Sequence, residues 1–512
     1  MNKNIFNTVS FKKQKSSRFD LSHDVKMSGN MGDLMPTLVQ ETLPGDRFEL
    51  GCESMVRLAP LVAPVMHRID FTMHYFFVPN RILWDQWEDW ITGNSEVQFP
   101  TMDIRATDST ANSRKFMDYM GIPPIESLDP TIEVSALPFA AYQKIYDDWY
   151  RDQNLIAEVN VELHSGKQSH ADTLKLLTMR KRAWEHDYFT SALPFAQKGS
   201  SVEIPLGNVD LIDDWDQSFA GTPRFEPNRS NVSTGGNLVQ TGTSGSTQIE
   251  NANQTGKQAY NPNGTLEVSP TTITDLRRAF RLQEFLEKNA RGGSRYIEQI
   301  LVHFGVRSSD ARLQRPEYIT GVKSPVVISE VLNTTGTNDD PQGNMAGHGV
   351  SVIKNGKKPF YCEEHGYIIG ICSIMPKPAY QDLLPKHYLR DDRLDFYWPS
   401  FAHIGEQELL VKELYAYADS DAVFGYVPRY SEYKYMPSRV AGEFRDSLDH
   451  WHLGRQFGTR PSLNKQFIEM QSSDIDGRIF AVDGSNSDNL YMHIYHQIKA
   501  SRKMPYFGSP SI

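Results

Sequence analysis

The sequence predicts a mainly β protein of Greek-key sandwich or jelly-roll type, with long inter-strand insertions that carry several helices. Three observations lead there. Residues 68–78, RIDFTMHYFFV, alternate cleanly, with Ile69, Phe71, Met73, Tyr75 and Phe77 on one face and Arg68, Asp70, Thr72 and His74 on the other, the period-two pattern of a strand. Other strand-like runs are scattered along the chain at irregular spacing. Strands so far apart must pair through long crossovers, whereas a doubly wound α/β sheet needs regular βαβ spacing. The aromatic share of 11% also leans towards sheets and interfaces.

The elements follow in chain order. Residues 1–30 hold six basic side chains, Lys3, Lys12, Lys13, Lys15, Arg18 and Lys26, against Asp20 and Asp24; with few apolar residues this reads as an extended basic arm. After the 68–78 strand, PNRILWDQWEDWITG reads as a helix capped by Asn80 and closed by Gly93, with Trp84, Trp87 and Trp90 as a packing stripe. SVEIPL (201–206) is a further strand candidate. In residues 221–270, 34 of 50 are Gly, Ser, Thr, Asn, Pro or Gln, too few apolar groups for a core of their own. TDLRRAFRLQEFLEKNARGG predicts an amphipathic helix with Thr274 as N-cap and Gly292 as stop. Strands are expected at 325–332, at 366–375 (apolar on both faces, hence central), at 477–482 and at 489–498.

The totals narrow the function. A formal charge of -10 argues against a general nucleic-acid coating protein, since phosphate binding needs positive surface. Cys52, Cys362 and Cys372 are too few for a disulfide framework in 512 residues. The first twenty residues lack an apolar signal core, and no apolar run approaches the ~20 residues of a membrane span; a protein made in a cytoplasm, without membrane insertion, is expected. No Walker A loop, G-x-G-x-x-G, H-E-x-x-H or G-x-S-x-G is present. Cys362, His365 and Cys372 form a C-x₂-H-x₆-C pattern without an evident fourth ligand. His450 and His452, beside Asp449, fall on one face of a candidate strand and read as structural. Acidic residues are plentiful, yet no pair stands out as a glycosidase couple. Neither catalytic residues nor a cofactor or metal site is expected.

Residues 424–445, FGYVPRYSEYKYMPSRVAGEFR, interleave tyrosine with arginine around Pro428 and Pro437, which forbid a long helix. Together with PNRILWDQWEDWITG, the block LQEFLEKNARGGSRYIEQILVHFGVRSSDARLQRPEYITG and the ending RKMPYFGSP, this run resembles the major capsid protein of microviruses, small tailless icosahedral phages with single-stranded DNA genomes. The likeness is nearest to the gokushovirus group and covers the chain from about residue 20 to its end, apart from 221–270.

The resemblance implies an eight-stranded antiparallel jelly roll of the viral capsid type over 31–512, self-associating into a T=1 icosahedral shell around circular single-stranded DNA. It implies a virion protein assembled in the host bacterial cytoplasm, with a scaffolding protein and a small basic DNA-associated protein as partners. The 221–270 insertion corresponds to a three-fold surface protrusion meeting a host receptor, with Asn228, Asn237, Thr247, Asn253 and Tyr260 as candidate contacts. Lys12, Lys13, Lys15 and Arg18 of the arm, and Lys499, Arg502 and Lys503 of a C-terminal tail, are candidates to face DNA; the alternative is that both are solvated termini. Arg429, Tyr430, Tyr433, Tyr435, Arg439 and Arg445 are candidates for an inter-subunit contact, or for pinning a long loop to its own subunit. Two other classes share the aromatic richness, a carbohydrate-active β-sandwich enzyme and a packaging protein that binds single-stranded DNA.

Overall fold

A computed structural model of the chain describes residues 16–507 except 94–95, 106–109, 124–130, 201, 203–208, 213–237, 242–247, 252–264, 269–271, 333–344, 419–420, 472–475 and 483–486. The first strands are β1 (Ser17–Asp20), β2 (His23–Gly29), β3 (Met35–Thr42), β4 (Arg47–Leu58) and β5 (Ile69–Pro79). A long excursion follows. It holds α1 (Trp87–Thr92), β6 (Thr101–Ile104), α2 (Ala111–Tyr119), β7 (Ile132–Ser135), α3 (Leu137–Ile145), α4 (His170–Leu176), the short strands β8 (Val209–Ile212), β9 (Leu238–Thr241), β10 (Gln248–Asn251) and β11 (Thr265–Val268), then α5 (Ile273–Gly292) and α6 (Tyr296–Phe304). The chain returns as β12 (Glu317–Val326), β13 (Ile328–Leu332), β14 (Met345–Lys354), β15 (Lys358–Tyr361) and β16 (Gly366–Pro376). Last come β17 (Glu406–Leu410), β18 (Val423–Pro428) and β19 (Leu490–Arg502).

Every ladder is antiparallel, and two sheets dominate. One has the order β1-β19-β4-β14-β13, with β2 also on β19 and β15 also on β4; the other has the order β12-β5-β16-β3. The expected pairing of remote strands is met: β19 runs beside β4 from Leu490↔Leu58 to Ser501↔Arg47. Alternation decides which side chains fill the space between the sheets. Leu490, Met492, Ile494 and Ile498 of β19 and Phe48, Leu50, Cys52 and Val56 of β4 join Phe71, Met73, Tyr75 and Phe77 of β5 in one core.

A second core lies against the second sheet alone. Phe76 and Val78 of β5 and Ile369 and Ile371 of β16 pack with Trp84, Phe116, Phe139 and Tyr142 of the excursion. Both β5 and β16 are therefore buried on both faces, as expected for 366–375 but not for 68–78, whose polar-looking face is covered. The tryptophan stripe is packing: Trp84 and Trp87 are buried, and the Trp87 and Trp90 rings lie 5.5 Å apart.

Several boundaries differ from expectation. Asn80 opens a 3₁₀ turn instead of capping a helix, and the helix starts at Trp87, though Gly93 (φ 69°) does close it. Thr272, not Thr274, caps α5, its hydroxyl accepting from the Asp275 amide at 3.2 Å; a threonine two residues earlier leaves Ile273 inside the helix. Residues 476–479 form a short helix, so the 477–482 run is not a strand. Asp449–Trp451 is a 3₁₀ turn, so His450 and His452 do not share a strand face. The 201–206 candidate lies outside the described residues but for Val202.

The largest difference is at the termini. Residues 17–29, expected within an extended arm, are β1 and β2, both hydrogen-bonded to β19. Residues 499–502, expected in a tail, extend the strand expected at 489–498 and complete β19. Ser17 pairs with Arg502, the Ser17 hydroxyl donates to the Met504 carbonyl at 2.9 Å, and the Phe19 and Tyr506 rings stack at 5.6 Å. The start of β1 and the end of β19 thus lie side by side.

By contact clustering, Gly199–Leu286 separates from the rest as its own unit. Its described residues comprise two antiparallel pairs, β8 with β11 and β9 with β10, and the first half of α5. β9, β10 and β11 fall in the low-complexity stretch.

A polar clamp crosses the main core. The His496 Nε2–H donates to the Thr37 carbonyl at 3.0 Å, so the neutral ring accepts the Tyr75 hydroxyl at Nδ1, at 2.8 Å. One imidazole on β19 thereby ties the first sheet to two strands of the second. Burial pushes the ring down to about 4, as it does His67 and His74. These rings stay neutral in the fold but gain protons near pH 6.5 once unfolded. Their stabilisation is complete above pH 6.5 and is lost as pH falls towards 4, by up to roughly 3 kcal/mol each. Thermal melts of the unassembled subunit should show a midpoint falling steeply from pH 6.5 to 4. His496→Leu should cost about 2–4 kcal/mol at pH 7.5 yet show a shallower decline; an equal slope would exclude His496 from the effect.

Candidate assembly surface

The 424–445 run is built on a third core, in which β17 and β18 pair. Phe424 and Val427 of β18 and Leu409 of β17 pack with Tyr188, Phe189, Tyr380 and Phe467. Polar groups fix the layer from beneath. The Tyr380 hydroxyl donates to Asp187 Oδ2 at 2.6 Å and the Tyr188 hydroxyl to Glu413 Oε2 at 2.8 Å. Burial raises the Glu413 carboxyl above its ordinary range, against the pull of Lys386.

Beyond Pro428 the chain turns sharply at Tyr430, whose φ of 61° lies in the left-handed region that a bulky residue adopts only when its surroundings hold it. They do so here. The Tyr430 amide donates to Gln407 Oε1 at 3.0 Å and its hydroxyl accepts from the Trp398 amide at 3.2 Å, while Tyr397 (4.9 Å) and the Arg429 guanidinium (4.7 Å) flank the ring. Beside it Arg390 and Glu432 form a buried ion pair at 3.0 Å, and Gln407 Nε2 also donates to Glu432 at 2.7 Å.

The six predicted contact residues therefore divide. Tyr430 is 2% exposed and belongs to the subunit's own packing. Arg429 stacks on it. Arg445 donates to the Gln381 carbonyl, and Gln381 returns a bond of 2.7 Å to the Arg445 carbonyl. Tyr433 and Tyr435, by contrast, are 52% and 44% exposed, and Arg439 is exposed. So the run both pins a loop and presents a surface.

Around Tyr433 and Tyr435 the structure gathers residues not singled out in the sequence. Tyr388, Phe396, Tyr397, Trp398 and Met436 are all exposed, Met436 at 88%. The Arg390 guanidinium lies 4.5 Å over the Tyr433 ring, and the Tyr397 and Tyr433 rings are 6.2 Å apart. A cavity of about 400 Å³ opens between Tyr388, Tyr433, Tyr435 and Met436 and reaches Leu383 and Pro385. The run FYWP at 396–399, aromatic with no strand or helix period, was the available signal.

The other candidates are placed as follows. Arg18 forms a surface ion pair with Glu49 at 2.8 Å. Lys499 sits within β19 opposite Asp20 on one side and Glu49 on the other. Arg502 is engaged inside the subunit, with Nε 3.2 Å from Asp46 Oδ2, Nη2 donating to the Glu41 carbonyl at 2.8 Å, and Phe48 beneath. Lys503 is exposed. Lys12, Lys13 and Lys15, and the insertion candidates Asn228, Asn237, Thr247, Asn253 and Tyr260, lie outside the described residues.

The Cys362, His365 and Cys372 pattern is not gathered. Cys372 is six residues into β16, roughly 20 Å along an extended strand from where it starts, and its Sγ meets Met492 Sδ at 4.0 Å. His452 is a packing histidine, its Nε2–H donating to the Phe444 carbonyl at 2.7 Å and Nδ1 accepting from the Gly454 amide at 2.9 Å.

The comparisons with known proteins agree with one another. The family model described as capsid protein (F protein) matches residues 8–512. The chain is 38% identical to capsid protein VP1 of Bdellovibrio phage phiMH2K, over 97% of this chain and 95% of that one. It is 33% identical to capsid protein VP1 of Chlamydia phage 1, over 100% and 98%, and 29% identical to that of Spiroplasma virus 4, over 97% and 95%. These matches bear out the microvirus resemblance and remove the enzyme alternative, and the chain belongs to the capsid protein (F protein) family.

Proposed function

We propose that the chain folds as a viral jelly roll and self-associates into a T=1 icosahedral shell around circular single-stranded DNA. Strand wiring supports the fold. Taken in chain order, β2, β3, β4, β5, β12, β14, β16 and β19 cross from one sheet to the other at every step except β5 to β12, giving the orders β2-β19-β4-β14 and β3-β16-β5-β12. Such wiring fits the double wrap of a jelly roll, with the domain taking in β2 (His23–Gly29) ahead of the expected span 31–512.

The observation that carries assembly is the exposed aromatic surface around Tyr433 in a protein of a capsid family. A contiguous apolar patch of this kind marks an interaction site, and Tyr, Trp and Met are the residues enriched in contacts between subunits. Many such contacts, each modest, give a closed shell collective stability.

The start of β1 and the end of β19 lie side by side, so the basic arm, with Lys503, is a joint candidate to neutralise packaged DNA beside a small basic protein. The 221–270 composition suits a protrusion that meets a host receptor. Assembly in the bacterial cytoplasm is taken to need a scaffolding protein.

Three outcomes are expected. Tyr433→Ser with Tyr435→Ser should lower particle yield about tenfold in electron micrographs and gradients, while the unassembled subunit melts as before; a normal yield removes the surface from assembly. Deleting roughly residues 225–262 should spare particles and reduce adsorption to host cells, and unchanged adsorption would sink the attachment role. Neutralising Lys12, Lys13, Lys15 and Arg18 should leave shells that hold less DNA; filled particles at full yield would show that the arm does not contact DNA.

A further inference from the structure

Helix α6, YIEQILVHF, is mostly apolar, yet none of its residues is buried. It is nevertheless held firmly at both ends. Arg295 at its N-cap donates to the carbonyls of Asp147 and Arg151 at 2.8 and 3.0 Å, and Glu298 accepts from the Arg295 amide at 3.0 Å. On one side Val302 lies so near Gly292 that a Cβ there would meet it at 2.5 Å, and His303 Nε2 bonds Asn289 Oδ1 at 2.6 Å. The other side shows Tyr296, Leu301 and Phe304 to solvent, Phe304 at 78%. Gly305, at φ 67°, ends the helix and leads into exposed Val306 and Arg307, with exposed Arg312 following. Neither arginine makes an ion pair among the described residues.

A rigid, exposed apolar helix edged with unneutralised arginines calls for an apolar partner edged with acid. The aromatic surface around Tyr433 has that chemistry. Asp391 and Asp392, both exposed, border Tyr388, Tyr397 and Trp398, and among the described residues neither pairs with a base. The adjoining cavity of about 400 Å³ has room for a phenyl ring, and the tyrosine and methionine in its lining favour an aromatic guest; of the cations that also line it, Lys386 and Arg390 are neutralised by Glu413 and Glu432, and Arg439 lies beside them. An aromatic anchor in a pocket, ringed by charges of opposite sign, is the arrangement that concentrates binding energy and fixes register.

We propose that α6 of one copy docks on the 388–398 and 433–436 surface of a neighbouring copy, with Phe304 in the cavity and Arg307 and Arg312 facing Asp391 and Asp392. The occupant of each surface is thus a second copy of this chain, and every copy uses both. The inference rests on the reading of the Tyr433 surface as a subunit contact and names what covers it.

Charge exchange tests it, with particles made from the complete phage genome and counted after gradient sedimentation. Arg307→Asp with Arg312→Asp should lower the yield about tenfold, and so should Asp391→Lys with Asp392→Lys, as like charges meet across the contact. All four changes in one chain should recover it to within about threefold. Thermal midpoints of the unassembled subunits, unchanged in each variant, separate assembly from folding, and Phe304→Ser should lower the yield with no charge altered. If both pairs block assembly and the combined variant does not recover, α6 is not the partner, although the Tyr433 surface remains a contact. If neither charge reversal lowers the yield while Tyr433→Ser with Tyr435→Ser does, the inference fails and the reading beneath it stands.

Discussion

The pairing of β19 with β4 is the contact on which the rest of the subunit depends. Twelve consecutive positions of the last strand lie against β4, and the opposite edge of β19 carries β2 and β1. Its inward face supplies Leu490, Met492, Ile494 and Ile498 to the main core. Without it β4 would present a long unpaired edge, the start of the chain would have no ladder, and the core would lack one wall. Contacts of such sequence separation form slowly, because the loop entropy comes before the reward. The sandwich is therefore complete only when both ends of the polypeptide are in place.

Two-sided burial of β5 and β16 follows from the same economy of surface. Their inner faces meet the first sheet, and their outer faces would be an apolar patch of Phe76, Val78, Ile369 and Ile371 if the excursion after β5 did not cover them. The excursion thus serves as a structural layer as well as a source of surface elements, and α3 is apolar because it is part of that roof. Helix α6 departs from this: it is as apolar as α3, yet none of its residues is buried.

At the candidate surface, stiffness comes from buried polar groups placed just behind exposed rings. Arg390 pairs with Glu432 below and stacks on Tyr433 above, and Tyr430 is locked in a left-handed turn by bonds to Gln407 and Trp398. A buried ion pair contributes little net stability, but removing one partner leaves a desolvated charge and costs several kcal/mol. What it provides here is position. The exposed tyrosines start from a fixed geometry, so less conformational entropy is lost when a partner arrives.

Periodicity alone determined β5, β16 and β19, because period-two alternation and doubly apolar runs are local consequences of strand geometry, and the long ordered motifs alone carried the capsid family. The sequence also marked 424–445 as an unusual surface, although not which of its residues face outward. Tertiary structure decided that division, since whether Tyr430 or Tyr433 is buried depends on Gln407, Trp398 and Arg390, which lie 23 to 43 residues away in sequence and so leave no local period. It also decided the fate of the termini. Residues 17–29 and 499–502 are too polar to read as core by composition, yet each joins the sheet because its other strands offer a ladder of backbone bonds, and backbone bonds are blind to side-chain identity.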